Sequence, residues 1–126
     1  FANNSEKIEF EKHQIWLKNY LEKNNGLFLV LTNEKNKIIG YIRFDKKDQQ
    51  ILEISIALHP KFHGKGLGSY LLSTSLRSYK NDLYSYTIIA KVKLQNPASQ
   101  KLFEKNNFLS IDKDTTHIVY QYHYTI

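Results

Sequence analysis

The chain has 126 residues, 41% of them apolar and 24% charged, which is enough to bury one domain's core without staples and too ordinary for a disordered or fibrous protein. It contains no cysteine, which excludes disulfides, thiolate catalysis and cysteine-ligated zinc, and no metal site is expected. Eighteen Lys and Arg against twelve Asp and Glu give a formal charge of +6, which favours polyanions in general, but no helix-turn-helix, zinc-finger or RNA-motif signature points to nucleic acid as a partner.

No repeat, low-complexity tract or linker interrupts the sequence, so residues 1–126 read as a single domain. From Ile8 to Glu22, the residues Phe10, His13, Trp16, Leu17, Tyr20 and Leu21 recur at helical spacing, with start signals from Ser5 to Glu9 and a stop at Gly26; an amphipathic helix is expected. Leu27 to Thr32 and Lys37 to Asp45 form a predicted hairpin around the polar turn Asn33 to Asn36, and Ile51 to Leu58 gives a third antiparallel strand. A glycine-rich turn follows, with Gly64, Gly66 and Gly68 inside five residues, and then a helix from Ser69 to Tyr79 with Leu67, Leu71, Leu72 and Leu76 on one stripe. Thr87 to Leu94 reads as the next strand, Asn96 and Pro97 as the N-cap and first turn of a short helix, and the alternation from His117 to Thr125 as a last strand. Strands in both meander and β-α-β order predict an α+β fold with a mixed sheet.

A glycine-rich turn that opens a helix offers backbone N–H groups with no internal partner, a ready site for phosphate. The spacing is neither that of a P-loop, since no lysine follows Gly68, nor that of a dinucleotide fingerprint, since Leu71 stands where a glycine is needed.

The wider segment from Ile56 through Pro60 to Gly64-Lys65-Gly66-Leu67-Gly68-Ser69 resembles the acyl-CoA-binding segment of the GNAT family of N-acetyltransferases, departing from it at His63, where Gln or Arg is usual. Downstream, Asn96-Pro97-Ala98 through Phe103 to Asn107-Phe108 resembles a second family element, with Phe103 in place of a tyrosine and Asn107 in place of a glycine. The resemblance implies a mixed, mostly antiparallel central sheet flanked by helices. It implies acetyl-CoA as co-substrate in a gap between the strand ending at Leu58 and the strand starting at Thr87. Backbone groups of Ile56, Ala57 and Leu58 would take the pantetheine arm as another strand would, and His63, Gly64, Lys65, Gly66, Leu67, Gly68 and Ser69 would surround the pyrophosphate. Asn96 and Phe103 match positions near the reactive end. Asn96 serves equally as an N-cap, and Lys61, Lys65 and Lys101 could flank the phosphates, although any solvated surface also carries such lysines.

The implied reaction is attack of a primary amine on the thioester. Glu53, on the strand that lines the gap and expected in an apolar context, is the candidate base, against a reading as a solvated residue sharing a face with Ser55. His59 is a second candidate base or relay. Phe103 cannot protonate the thiolate, which leaves Tyr70, Tyr79 or a tyrosine of the last strand for that task. Three stretches, His13 to Leu17, Ile39 to Asp45 and Ile54 to Leu58, look most like acetyltransferases of bacterial nucleotide-sugar pathways, which act on a 4-amino sugar; a protein N-terminus or lysine is the alternative acceptor. A noncatalytic acyl-CoA-binding module is the reading from another class.

The chain opens at Phe1 and holds no methionine, so it is expected to be an excerpt or a processed product that lacks the first strand of the family's sheet and leaves a sheet edge unpaired. No apolar run approaches the ~20 residues of a membrane span. A cytoplasmic location is the default, with a homodimer left open.

Overall fold

In the strands, burial alternates. Leu52 and Ile54 are buried between half-buried neighbours, and Ile88, Ala90 and Val92 are buried while Lys91 and Lys93 are exposed. Side chains of period two need neighbouring strands to complete a dry face. The computed structural model, which describes residues 2–10, 13–20 and 26–125, assembles them as β1 (Ala2–Phe10), β2 (His13–Tyr20), β3 (Gly26–Asn33), β4 (Ile38–Lys46), β5 (Ile51–Leu58), β6 (Thr87–Lys93), β7 (Leu109–Lys113) and β8 (His117–Tyr122). They form one sheet in the order β1-β2-β3-β4-β5-β6-β8-β7. All pairings are antiparallel except β5 with β6, the two strands joined by a helical crossover. The mixed, mostly antiparallel sheet of the sequence reading is present.

The helix expected from Ile8 to Glu22 is not. Its described residues belong to β1 and β2; Glu11, Lys12, Leu21 and Glu22 lie outside the described residues. Ile15 and Leu17 are fully buried and alternate with exposed Gln14 and half-buried Trp16 and Lys18. Pairing of β2 with β3 sets Leu17 beside Leu31 and Asn19 beside Leu29, so the period-two pattern wins by completing a face that β3 had already begun. The sequence reading also assigned no element to residues 2–7 of β1, to the 3-10 turn Pro60–Phe62, to the four-residue helix Lys80–Leu83 or to strand β7, whose five residues are all exposed.

Helices α1 (Leu67–Ser78), α2 (Lys80–Leu83) and α3 (Pro97–Lys105) and a 3-10 turn at Pro60–Phe62 complete the fold. Leu67, Leu71, Leu72 and Leu76 of α1, Leu83 of α2, Phe103 of α3 and Phe62 of the turn all join the cluster that contains Leu52, Ile54, Ile88 and Ala90. Every described helix therefore lies on one face of the sheet. Phe28, Tyr41, Asp45, Glu53 and Ile89 point to the opposite face and stay half-buried.

Candidate active site

The site begins where two parallel strands part. β5 and β6 pair only at Ile51↔Thr87, Leu52↔Ile88 and Glu53↔Ile89, and from Ile54 to Leu58 the β6 side of β5 has no strand beside it. On its other edge β5 stays paired with β4 as far as Leu58, and the His59 amide donates to Ile39 O at 2.6 Å. Backbone direction alternates along an antiparallel strand, so His59 and Ala57 turn their groups to β4 while Ile56 and Leu58 turn theirs into the gap. The gap widens into a cleft of about 810 Å³ that runs from the glycine turn to Glu53. It is lined by Ile56, Ala57, Leu58, His63, Gly64, Gly66, Leu67, Gly68, Ser69, Asn96 and Phe103 among the residues anticipated from sequence, and by Glu53 at its far end.

The glycines do different jobs. Gly64 and Gly66 have φ of 74° and 83°, the left-handed region that a side chain resists, and a Cβ on either would meet nothing within 4 Å. Gly66 is the N-cap of α1, its carbonyl accepts from Tyr70 N at 3.1 Å and it offers no side-chain cap, so the helix starts uncapped where Gly66, Leu67, Gly68 and Ser69 line the cleft. Gly68 is needed for packing instead: a Cβ there would stand 2.8 Å from Leu102 Cδ1 and 3.6 Å from Leu58 Cδ1. Asn106 Nδ2 donates to Ser69 Oγ at 3.0 Å and to Leu102 O at 2.8 Å, pinning the end of α3 to the start of α1.

The two histidines take local roles. His63 Nε2 lies 2.8 Å from Leu58 O, a distance at which the ring N–H donates to that carbonyl and holds the turn against the strand. His59 is exposed, its Nδ1 accepts from Lys61 N at 3.2 Å as the cap of the 3-10 turn, and it is not among the residues that line the cleft. The structure thus keeps this candidate base out of the cleft. Lys61 and Lys65 are also absent from the lining, whereas Lys101 belongs to it.

At the far end, Glu53 pairs with Lys47 at 3.9 Å and Lys91 at 3.8 Å, with Asp45 opposite it on β4. Its surroundings are cationic rather than apolar, so the apolar context expected from sequence is not the setting of this carboxylate. Lys91 and Lys93, both lining the cleft, were missed; the alternation of β6 carried the signal, since it sets them on the same face as Glu53. Asn96 lines the cleft and caps α3 at once, its Oδ1 accepting from Ser99 N at 3.2 Å.

Phe103 is buried against Phe108 and Tyr120, with centroids 5.0 and 6.2 Å away. The tyrosine substitutes fare poorly as acids. Tyr70 packs on Phe10 of β1 at 6.4 Å, Tyr79 is buried in the core, and neither lines the cleft. On the last strand, Tyr120 donates to Glu104 Oε2 at 2.6 Å, and burial together with that bond pushes its phenol up to about 12. Tyr124 donates to Leu76 O at 2.7 Å, and burial raises its pKa as well. Among the described residues no group of His, Asp and Glu is arranged to hold a metal, and no helix is long and apolar enough to cross a membrane.

Comparison with known proteins agrees with this geometry. Acetyltransferase PseH of Campylobacter jejuni is 30% identical over 108 residues, which cover 85% of this chain and 66% of that protein. The solved structure of C. jejuni PseH in complex with acetyl coenzyme A superposes with a TM-score of 0.68 at 20% identity, covering 82% of this chain and 71% of the other. An N-alpha-acetyltransferase of Saccharolobus solfataricus is 29% identical over 101 residues, 71% of this chain and 60% of that protein. Spermidine N-acetyltransferase of Vibrio cholerae, solved with CoA and spermine, shares the fold at a TM-score of 0.64 and 19% identity, over 79% of this chain and 65% of its own. The chain thus spans less than two thirds of the two curated relatives. The sequence pattern of the acetyltransferase (GNAT) family matches residues 2–108. With that match across the parted strands and the glycine turn, the chain belongs to the GNAT acetyltransferase family.

Proposed function

We propose that the chain is the acyl-CoA-binding domain of an N-acetyltransferase that moves the acetyl group of acetyl-CoA to the primary amine of a nucleotide-linked 4-amino sugar. The observation that carries the donor half is the cleft between β5 and β6, which has helix-start amides at one end and a carboxylate at the other. The pyrophosphate would rest on the amides after Gly66, and the pantetheine amides would pair with the backbone of Ile56 and Leu58. His63, Lys65, Leu67, Gly68 and Ser69 would shape that turn, with Asn96 and Phe103 along the arm.

The amine nitrogen forms a bond to the thioester carbonyl carbon, the C–S bond breaks, and Glu53 takes the ammonium proton. Lys91 offers a cation beside Glu53 for the departing thiolate, a role that Phe103 cannot fill. His59 is not needed in this scheme. This reading takes the cytoplasm, where acetyl-CoA is available, as the location of the reaction, with a homodimer as a further part of the proposal.

The acceptor half is supported by the likeness to PseH and by charge. Around the acceptor end of the cleft, Arg43, Lys47, Lys91 and Lys93 outnumber Asp45 and Glu53, a setting that suits an anionic sugar nucleotide and repels a polycation such as spermidine. The test is thiol release from acetyl-CoA in the presence of a UDP-linked 4-amino sugar, spermidine or a peptide N-terminus. Turnover with the amino sugar alone is expected. Turnover confined to spermidine or the peptide would replace the acceptor. Thermal stabilisation by acetyl-CoA with no thiol release for any amine would leave a noncatalytic acyl-CoA-binding module.

A further inference from the structure

The face of the sheet that no described helix covers carries an aromatic and cationic group that acetyl transfer by itself does not require. Phe28 on β3 pairs across the strands with Arg43 on β4, and Val30 with Tyr41. The Phe28 and Tyr41 rings meet edge to face with centroids 6.0 Å apart, and the Arg43 guanidinium lies 6.0 Å from the Phe28 ring centre. Asp45 steadies that guanidinium, accepting from Nη2 at 2.8 Å and from Nε at 3.3 Å. Both rings are half-buried, and the Arg43 side chain remains 45% exposed.

Cross-strand aromatic pairs stabilise many sheets; what distinguishes this one is where it stands. Register continues from Tyr41 to Ala57 and from Arg43 to Ser55, both residues of the cleft lining. The group therefore starts one strand from the cleft and ends two strands away at Phe28, roughly 10 Å by strand spacing. The glycine turn and its helix lie on the other face, so with the cofactor's phosphates held there as proposed above, an incoming amine would reach the thioester from this one.

We infer that Phe28, Tyr41 and Arg43 form the recognition platform for the nucleoside diphosphate part of the acceptor. The base lies against the aromatic pair, the pyrophosphate meets Arg43, and the amino sugar reaches Glu53. This rests on the amino-sugar reading above. Each contact follows from chemistry on the page: every base has a π-face that stacks on an aromatic ring, a guanidinium fork matches phosphate oxygens, and the cationic rim favours the diphosphate. A diphosphate also introduces the separation between base and sugar that the distance from Phe28 to the cleft demands. A free amino sugar would leave the platform empty.

The test is calorimetric binding of UDP, with inorganic pyrophosphate as the probe that lacks a base, to protein saturated with acetyl-CoA so that the cofactor turn is occupied. Phe28→Leu is expected to weaken UDP about tenfold and leave pyrophosphate unchanged, because a leucine keeps the bulk and loses the stacking face. Arg43→Gln is expected to weaken both probes. Retained thermal stabilisation by acetyl-CoA shows that a variant is folded, and Tyr41→Leu carries the same measurement should Phe28→Leu fail that check. Equal UDP affinity in the folded aromatic variants overturns the platform even if a UDP-linked amino sugar is turned over, in which case the proposed reaction stands without it. Absence of UDP binding to the intact chain also overturns the platform, and turnover with the UDP-linked amino sugar, measured in parallel, decides whether the acceptor reading falls with it.

Discussion

The two faces of the sheet are built to different ends. On the helix-bearing face Leu52, Ile54, Ile88 and Ala90 meet Leu71, Leu72 and Phe103, all of them buried. On the other face Phe28, Ile51 and Ile89 are only half-buried, and charges of both signs stand between them. Stability follows dry apolar area, so the first face holds the fold together, while the second can carry rings and ions suited to a ligand at small cost to folding. The cleft between β5 and β6 is where the faces communicate, because the strand that parts there directs Glu53 and Ser55 to one face and Ile54 and Ile56 to the other, and all four line the cleft.

The sharpest way to break this comparison is to remove the same kind of side chain from each face. Leu71→Ala, at a fully buried position, should cost about 3 kcal/mol in urea unfolding, whereas Ile89→Ala on the half-buried face should cost no more than about 1 kcal/mol. Equal losses would mean that the open face is as much a core as the other. Next in size is a change that should strike function and spare the fold. Glu53→Gln is expected to lower kcat for acetyl transfer about 100-fold, the worth of a positioned base, and to shift unfolding by less than about 0.5 kcal/mol, since its ion pairs are long and partly solvated. A variant with full activity would remove Glu53 from the mechanism.

The same division explains what could be read from the sequence. The glycine-turn end of the cleft was legible as local structure because it depends on backbone chemistry at fixed spacing: Gly64 and Gly66 are glycines for their φ, Asn96 and Pro97 start a helix, and the strand from Ile51 to Leu58 has the observed ends. The N-terminal residues were ambiguous in principle. Phe10, His13, Trp16 and Leu17 satisfy a helical period, Ile15 and Leu17 satisfy a strand period, and the choice was made by β3, which needed a partner for Leu29 and Leu31. The exposed strand β7 has no burial pattern to detect. Lys91 and Lys93 became site residues only once the sheet brought β6 beside β5, and the open face exists only because all described helices chose one side.

Smaller effects test the pieces that join the faces. Gly66→Ala should destabilise the chain by about 1 kcal/mol through the left-handed backbone alone, because its Cβ would meet no atom within 4 Å. It should therefore leave thermal stabilisation by acetyl-CoA largely in place, while Gly66→Trp, whose ring would fill the space before the helix amides, should abolish it. If the tryptophan variant responds to acetyl-CoA as the intact chain does, the phosphates do not lie at this turn.

The subtlest case is Tyr120, fully buried beneath Phe103 and hydrogen-bonded to Glu104. Its phenol titrates near 10 in the unfolded chain and is pushed up to about 12 in the folded one. Between those values the folded state holds a proton that the unfolded state has released, so unfolding becomes more favourable as pH rises through the window. The stabilisation is fully present below pH 10 and is lost toward pH 12. At neutral pH, Tyr120→Phe should cost about 1 kcal/mol for the missing bond to a carboxylate that water can partly satisfy. Above pH 10 its disadvantage should shrink, because a phenylalanine has no proton to lose, although raised pKa values at Tyr122 and Tyr124 keep some slope in both proteins. Melting curves for the two chains from pH 8 to pH 11 read this directly. If they run parallel throughout, the Tyr120 phenol is not held by the helix-bearing core, and the dry face is less dry beside the cleft than its packing indicates.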